Sequence, residues 1–190
     1  MVTATALEEE LRRLAGSVPD PELPVLTLEE LGVLRAVHVH GPDAVEVELT
    51  PTYTGCPAIE AMALDIERIL QEHGVPHVVV RTVLAPAWST DDITDEGRRK
   101  LLAFGIAPPR ALPTSGPVPL ELGPTRTAAG SREAGSAPTA ANAPGPEEPV
   151  YCPFCGSDET ELLSRFSSTA CKALRRCLAC REPFDHFKEL

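Results

Sequence analysis

The 190-residue chain carries 28 acidic against 17 basic side chains, a formal net charge of −11 at pH 7. An acidic chain repels phosphate backbones, which disfavours nucleic acid as a partner. No apolar run approaches the roughly 20 residues that span a membrane. Residues 1–10 lack the basic start and apolar core of a signal peptide, so we expect a cytoplasmic protein with reduced thiols.

Helix and strand patterns alternate through residues 1–106. Leu7, Leu11 and Leu14 predict a first helix, and the capping-box pattern at 27–30 predicts a short second one. Further helices are predicted at 57–73 and 95–104, and strands at 33–40, 44–50 and 77–84, the last apolar enough to be central. This order predicts an α+β domain in which helices pack on a small three-stranded sheet.

Residues 107–149 hold ten of the twenty prolines of the chain, together with many alanine, glycine, serine and threonine residues. This composition has no apolar periodicity and buries too little surface to offset the entropy of ordering. We therefore predict a disordered linker, with residues 150–190 tethered to the first domain rather than docked on it.

Residues 150–190 contain two C-x-x-C pairs, Cys152 with Cys155 and Cys177 with Cys180. Two residues between cysteines let both sulfurs reach one ion, and two such pairs are typical of a four-thiolate zinc site. A segment of this size rarely folds without a metal or disulfides. We predict a zinc-ribbon-like domain that unfolds by itself when the metal is removed. Many zinc ribbons bind nucleic acid, an alternative that the acidic first domain disfavours.

Cys56 precedes the predicted helix at 57–73. Pro57 suits the first helical position, which would make Cys56 the N-cap and lower its pKa through the helix dipole. Hydroxyl groups of Thr50, Thr52 and Thr54 could support the thiol. Two interpretations remain open: a reactive or metal-binding thiol in a small pocket, and a buried structural cysteine.

Several motifs resemble a known family. The segments at 20–22, 31–33 and 56–57 resemble the SufT-like family of iron–sulfur assembly factors. The longer segments are similar to the D-subunit family of the bacterial phenylacetyl-CoA epoxidase system, also called the J-subunit family of phenylacetate-CoA oxygenase. They lie at 51–58, 84–91, 105–109 and 168–174. Arg175 departs from this pattern, where an aromatic residue is expected.

The resemblance implies an accessory role in aerobic phenylacetate degradation. Its partners would be the other epoxidase subunits, above all the reductase, which carries flavin and a 2Fe–2S cluster. Two roles stay open: iron–sulfur maturation, with a transient cluster handled on this chain, and a structural subunit. Cys171 lies inside a matching motif and is either a cluster-handling thiol or a packing residue. Asp20 and Glu22 either support Cys56 or form a solvated acidic turn.

The sequence offers no sign of catalysis by this chain itself. It has no Glu-x-x-His pair for a di-iron site, no G-x-G-x-x-G turn and no P-loop. The Cys171, Cys177 and Cys180 spacing misses the plant ferredoxin pattern by one residue. His186 could substitute for one of the zinc ligands, but we interpret it as a surface residue. Trp88 is either a core edge or a partner surface.

Overall fold

The computed structural model describes residues 4–41, 43–53, 55–110 and 149–189. Residues 111–148 of the predicted linker lie outside the described residues. The helices are α1 (Ala4–Gly16), α2 (Leu28–Leu31), α3 (Ala58–Glu72) and α4 (Asp95–Ala103). The strands are β1 (Leu34–Val39), β2 (Ala44–Leu49), β3 (His77–Thr82), β4 (Ile106–Ala107), β5 (Thr160–Ser164), β6 (Lys172–Cys177) and β7 (Pro183–Phe187). The predicted α+β class is confirmed, and none of the described helices is long and apolar enough to cross a membrane.

The first sheet has the strand order β1-β2-β3. β1 pairs antiparallel with β2, and α3 carries the chain back so that β3 pairs parallel with β2. The predicted central position of β3 is therefore wrong, because the crossover through α3 leaves β3 at the edge. Val78 and Val80 pack against the core, but Val79 between them is exposed.

The core of residues 4–110 lies between two helices and the first sheet. Helix α1 contacts β1, helix α3 contacts β3, and the two helices contact each other. Leucines at helical spacing supply α1's share of this core, and Met62, Ile66 and Leu70 supply that of α3. Each such side chain contributes about 1.5–3 kcal/mol when fully buried. The amphipathic patterns that predicted these helices are therefore the patterns that hold them against the sheet.

The segment after β3 is fixed against α2. The predicted capping box is confirmed, since the Thr27 side chain accepts from the Glu30 N–H and the Glu30 side chain accepts from the Thr27 N–H. Gly32 then ends α2 at φ 74°, and a Cβ there would lie 2.2 Å from the Asp92 carbonyl oxygen. Trp88 is buried in the core, and its indole N–H donates to the Leu31 carbonyl at 2.9 Å.

The second sheet joins the end of the first domain to residues 150–190. Its strand order is β4-β7-β6-β5, and β4, which follows α4, pairs parallel with β7. Phe187 at the end of β7 is fully buried, with its ring centroid 6.0 Å from that of Trp88. The prediction that residues 150–190 are only tethered is therefore wrong. A strand as short as Ile106–Ala107 has no periodicity that could have predicted the pairing.

We expect Phe187→Ala to lower the free energy of unfolding by about 3–5 kcal/mol, the usual cost of removing a buried phenylalanine side chain. Denaturant unfolding followed by the fluorescence of Trp88, the one tryptophan of the chain, measures this directly. Phe104→Ala is the matched control, because Phe104 is 68% exposed and its loss should cost less than about 0.5 kcal/mol. Equal effects of the two substitutions would contradict the docked arrangement.

Candidate metal centre and thiol site

The four predicted zinc ligands meet at one point. The sulfur atoms of Cys152, Cys155, Cys177 and Cys180 all lie within 4.8 Å of one another. The Cys152–Cys180 and Cys155–Cys177 sulfur pairs are 3.7 and 3.5 Å apart. A tetrahedron with zinc–sulfur bonds of about 2.3 Å has sulfur–sulfur edges of about 3.8 Å. The geometry therefore suits zinc.

Backbone N–H groups favour the thiolate form at this centre. The Phe154 N–H donates to the Cys152 sulfur at 3.4 Å, and the Cys180 N–H donates to the Cys177 sulfur at 3.5 Å. The bond from Cys180 is the main reason that the pKa of Cys177 falls to about 6. Gly156 adopts φ 74° directly after the first pair, where its N–H donates to the Cys152 carbonyl. The bound zinc would link this loop to β6.

His186 lies outside the ligand group, and its predicted surface position is wrong. It is 6% exposed, because β7 places it in register between Ala107 on β4 and Ala173 on β6. Its Nε2 lies 3.8 Å from a carboxylate oxygen of Glu189.

The sequence predicted that Cys56 is the N-cap of α3, and this prediction is wrong. Pro57 occupies that position with αR backbone angles, and helical hydrogen bonding begins one residue later than the sequence predicted. Cys56 is 8% exposed. Burial raises the pKa of its thiol, the Ala58 N–H opposes that shift, and the charge of Glu22 adds to it. The predicted lowering of this pKa by the helix is therefore wrong.

Cys171 comes from the other end of the chain, yet it belongs to the same hydrophobic cluster as Cys56. Burial also raises the pKa of Cys171, and the Thr169 hydroxyl, 3.0 Å from its sulfur, opposes this shift. The charge of Glu22 again raises the pKa of Cys171. One carboxylate therefore acts on both thiols, and we call the cluster residues around Cys56 and Cys171 the thiol site.

Tyr53 also belongs to the thiol site, because it packs against the cluster that contains Cys56 and Cys171. The sequence analysis assigned Tyr53 no role. Its pKa is raised to about 12, first by burial and then by the charges of Cys56, Glu22 and Cys171. The charges of these three groups therefore all act on the phenol. The signal that could have found Tyr53 is its place three residues before Cys56, inside a segment already singled out for its family resemblance.

Asp20 and Glu22 have different positions. Asp20 is 3% exposed and accepts hydrogen bonds from the Glu22 and Leu23 N–H groups at 2.8 and 2.6 Å. Asp20 therefore fixes the turn that carries Glu22, which excludes the solvated-turn interpretation for Asp20. Burial raises the pKa of Asp20, and the same is true of the half-buried Glu22.

Lys172 is the buried cation of the site and was also missed. It is 5% exposed, and its ammonium lies 3.2 Å from a carboxylate oxygen of Asp185. Its charge lowers the pKa values of Asp20, Glu22 and Cys171. The signal that could have found it is its place directly after Cys171, inside the segment 168–174 already singled out for its family resemblance.

Two openings border the thiol site. Thr50 and Thr52 line a cavity of about 140 Å³ together with Tyr53 and Trp88; support of Cys56 by these hydroxyls stays a prediction, and Thr54 lies outside the described residues. On the other side, a groove of about 330 Å³ runs between the two halves of the chain. Its lining includes Glu22, Lys172 and apolar residues such as Phe104, Ile106 and Leu174.

Comparisons with known proteins match both halves of the chain. A family described as iron–sulfur cluster assembly protein matches residues 8–85, and one described as PaaD zinc beta ribbon domain matches residues 136–188. A protein of Escherichia coli (strain K12), provisionally named as the D-subunit of 1,2-phenylacetyl-CoA epoxidase, is 39% identical over 179 residues, which cover 94% of this chain and 91% of that protein. The crystal structure of a domain of unknown function, DUF59, from Bacillus anthracis is 25% identical and covers 51% of this chain and 92% of that one, with a TM-score of 0.48.

We expect Cys177→Ser to abolish the binding of about one zinc per chain, because three thiolates and a hydroxyl no longer provide the four-sulfur set. Metal analysis of the purified protein gives the stoichiometry. Cys171→Ser is the matched control, since Cys171 lies outside the four-sulfur group. Equal zinc loss in both variants would contradict the ligand assignment.

We expect Glu22→Gln to increase the reactivity of both thiols toward iodoacetamide. A nearby carboxylate disfavours the thiolate, so its removal lowers both thiol pKa values and moves the pH–rate profile to lower pH. Mass spectrometry of the peptides that contain Cys56 and Cys171 follows each rate. Glu10→Gln on the exposed side of α1 removes the same charge and should leave both profiles unchanged. Unchanged profiles in Glu22→Gln would show that Glu22 does not act on the thiols.

Proposed function

The chain belongs to the D-subunit family of 1,2-phenylacetyl-CoA epoxidase, and from this premise we propose that it is a non-catalytic accessory protein of aerobic phenylacetate degradation. It assists iron–sulfur cluster maturation or insertion in a multicomponent phenylacetyl-CoA epoxidase. The match of residues 8–85 to an iron–sulfur cluster assembly family supports this role.

The observation that carries the proposal is that Cys56 and Cys171, from the two halves of the chain, are buried in one hydrophobic cluster against which Tyr53 packs, and that the charge of Glu22 acts on both thiols. Thiolates are the usual ligands of iron–sulfur clusters, and carboxylates also accept iron. The two thiols come from segments that match different families, the assembly family and the zinc ribbon. A site that needs both halves gives a reason for their fusion in one chain.

The raised pKa values of both thiols fit a cargo that must leave again. A metal or cluster has to displace the proton from each sulfur, so a higher thiol pKa weakens binding at a given pH. At neutral pH the two thiols are therefore protonated until cargo arrives. This favours transient rather than permanent binding of the iron–sulfur species.

The partners would be the other subunits of the epoxidase. The reductase is the client we favour, because the family resemblance gives it a flavin and a 2Fe–2S cluster. We place this exchange in the reducing cytoplasm, where free thiols persist. The charge of −11 argues against nucleic acid as a further partner.

A second candidate is a structural subunit of the same complex. The burial of Cys56 and Cys171, which are 8% and 3% exposed, favours it, because buried neutral thiols also pack well as small apolar groups. In that case both cysteines would hold the two halves of the chain together and no iron would pass through them.

Cells that carry Cys56→Ser in place of the native protein test the proposal. We expect their reductase to contain less iron and less acid-labile sulfide per chain, with its flavin content unchanged, because flavin does not depend on thiol transfer. The variant should still copurify with the other epoxidase subunits, which controls for folding. Cells without the protein provide the lower limit of cluster content.

If cells without the protein have an inactive epoxidase but a reductase with a full cluster, the maturation role is wrong and the structural role remains. If Cys56→Ser keeps both the cluster and the epoxidase activity, the thiol has no working role in either process.

A further inference from the structure

The groove of about 330 Å³ between the two halves of the chain is built on one face of the second sheet. Residues paired across neighbouring strands share a face of a sheet. Leu174 on β6 pairs with Asp185 on β7, and Asp185 pairs with Ile106 on β4. These three side chains therefore share one face, and all three line the groove. Residues 22–25 of the first domain also line it, so the surface exists only where the two halves meet.

Two exposed aromatic rings extend the apolar surface of this groove. Phe104 lines the groove and is exposed. Phe154, which lies between the zinc ligands Cys152 and Cys155, is 56% exposed. Its ring lies against Gly105 of the groove lining, where an added Cβ would be 3.1 Å from two of the ring carbons. Exposed aromatic side chains that form one apolar patch are typical of surfaces that bind other proteins.

The charge of the groove is negative. Glu22 and Asp185 line it, and Lys172 is the one cation of its lining among the described residues. The Lys172 ammonium lies 3.2 Å from Asp185. Within the part of the chain that the structure describes, no ion pair joins a cation to the Glu22 carboxylate. A cationic group is therefore the complementary partner for Glu22, whereas an anion would be repelled by this carboxylate and by the chain's charge of −11.

The dimensions and position of the groove favour a protein segment as its occupant. Its volume is near the lower end of the range of about 300–1,000 Å³ that holds small organic ligands, and the exposed ring of Phe154 lies outside its lining. A protein segment would fill the groove and also cover this ring. Lys172 directly follows Cys171, and the charge of Glu22 acts on both Cys56 and Cys171. A segment bound here would therefore lie beside the thiol site.

We propose that this groove is the surface on which another subunit of the epoxidase docks, through a segment that places a lysine or arginine beside an apolar side chain. The cation pairs with Glu22, and the apolar side chain packs on Ile106, Leu174 and Phe104. The inference rests on the proposed function for the class of partner, and it adds the docking surface and the chemistry of the docked segment.

Isothermal titration calorimetry of the zinc-loaded full chain against each of the other purified epoxidase subunits tests the proposal. We expect one subunit to bind with one site per chain, and its affinity to fall as the salt concentration rises. Phe104→Ala should weaken this binding by about tenfold or more, as is usual for a central aromatic side chain of an interface. Leu64→Ala is the matched control, because Leu64 is 66% exposed on α3 and lies outside the groove.

Glu22→Gln tests the charge of the docked segment. We expect it to weaken binding by roughly two- to fivefold, the effect of losing one partly exposed ion pair, and to reduce the dependence of the affinity on salt. Glu10→Gln removes the same charge from the exposed side of α1 and should leave both unchanged. Zinc content and Trp88 fluorescence should stay native in all four variants, which controls for folding.

Three outcomes would overturn the proposal. Native affinity of Phe104→Ala, or absence of binding by every subunit, removes the groove as the docking surface. Native affinity and native salt dependence of Glu22→Gln exclude a cationic segment. A dimer of the chain alone that Phe104→Ala dissociates in sedimentation experiments would make this face an interface between two copies.

The maturation role fails or holds on a different measurement, the cluster content of the reductase in cells that carry Cys56→Ser. Phe104→Ala should reduce copurification with the epoxidase subunits, whereas Cys56→Ser should not. The two proposals can therefore fail separately.

Discussion

The pairing of β4 with β7 is the constraint on which the thiol site depends. Two residues at the end of the first domain supply the edge strand of the second sheet. This pairing places Phe187 beside Trp88, and because β6 is paired with β7, it places the start of β6 at the groove that Glu22 also lines. Without it, Cys171 and Lys172 would have no fixed position relative to Cys56.

Opposite charges stabilise the ionisable side chains that are buried between the two halves of the chain. Asp20 is nearly inaccessible to solvent, and an uncompensated carboxylate there would carry a large desolvation cost. Two backbone N–H groups satisfy it, and Lys172 supplies positive charge from the other half of the chain. Lys172 itself is paired with Asp185. The buried charges on the two sides of this contact therefore have opposite signs, because the ammonium of Lys172 favours the carboxylate of Asp20.

The sequence correctly predicted those elements and ligands whose physical signal is local. Helical spacing predicted α1 and α3, the Thr27 capping box predicted α2, and the spacing of the two C-x-x-C pairs predicted four sulfurs that meet. Signals that depend on tertiary structure failed. The edge position of β3 follows from a crossover, and the two-residue β4 is too short for any pattern.

The chemistry of Cys56 failed for a related reason. A helix start favours a thiolate in isolation, but the burial of Cys56 and the charges of Glu22 and Asp20 outweigh that effect. Tyr53 and Lys172 were missed because part of the environment of each comes from residues distant in sequence, Cys171 for Tyr53 and Asp20 for Lys172. The site was thus predictable in its cysteines and unpredictable in the groups that set their pKa values.

The strand β6 carries two thiols with opposite pKa shifts. Cys171 and Lys172 lie at its start and the zinc ligand Cys177 at its end. Backbone N–H groups, above all that of Cys180, lower the pKa of Cys177 to about 6, whereas the pKa values of the neighbouring ligands Cys155 and Cys180 are raised. Burial and Glu22 raise the pKa of Cys171, so any metal there must displace a proton. The two ends of one strand therefore carry thiols with different pKa shifts, because backbone N–H groups act at one end whereas burial and a carboxylate act at the other.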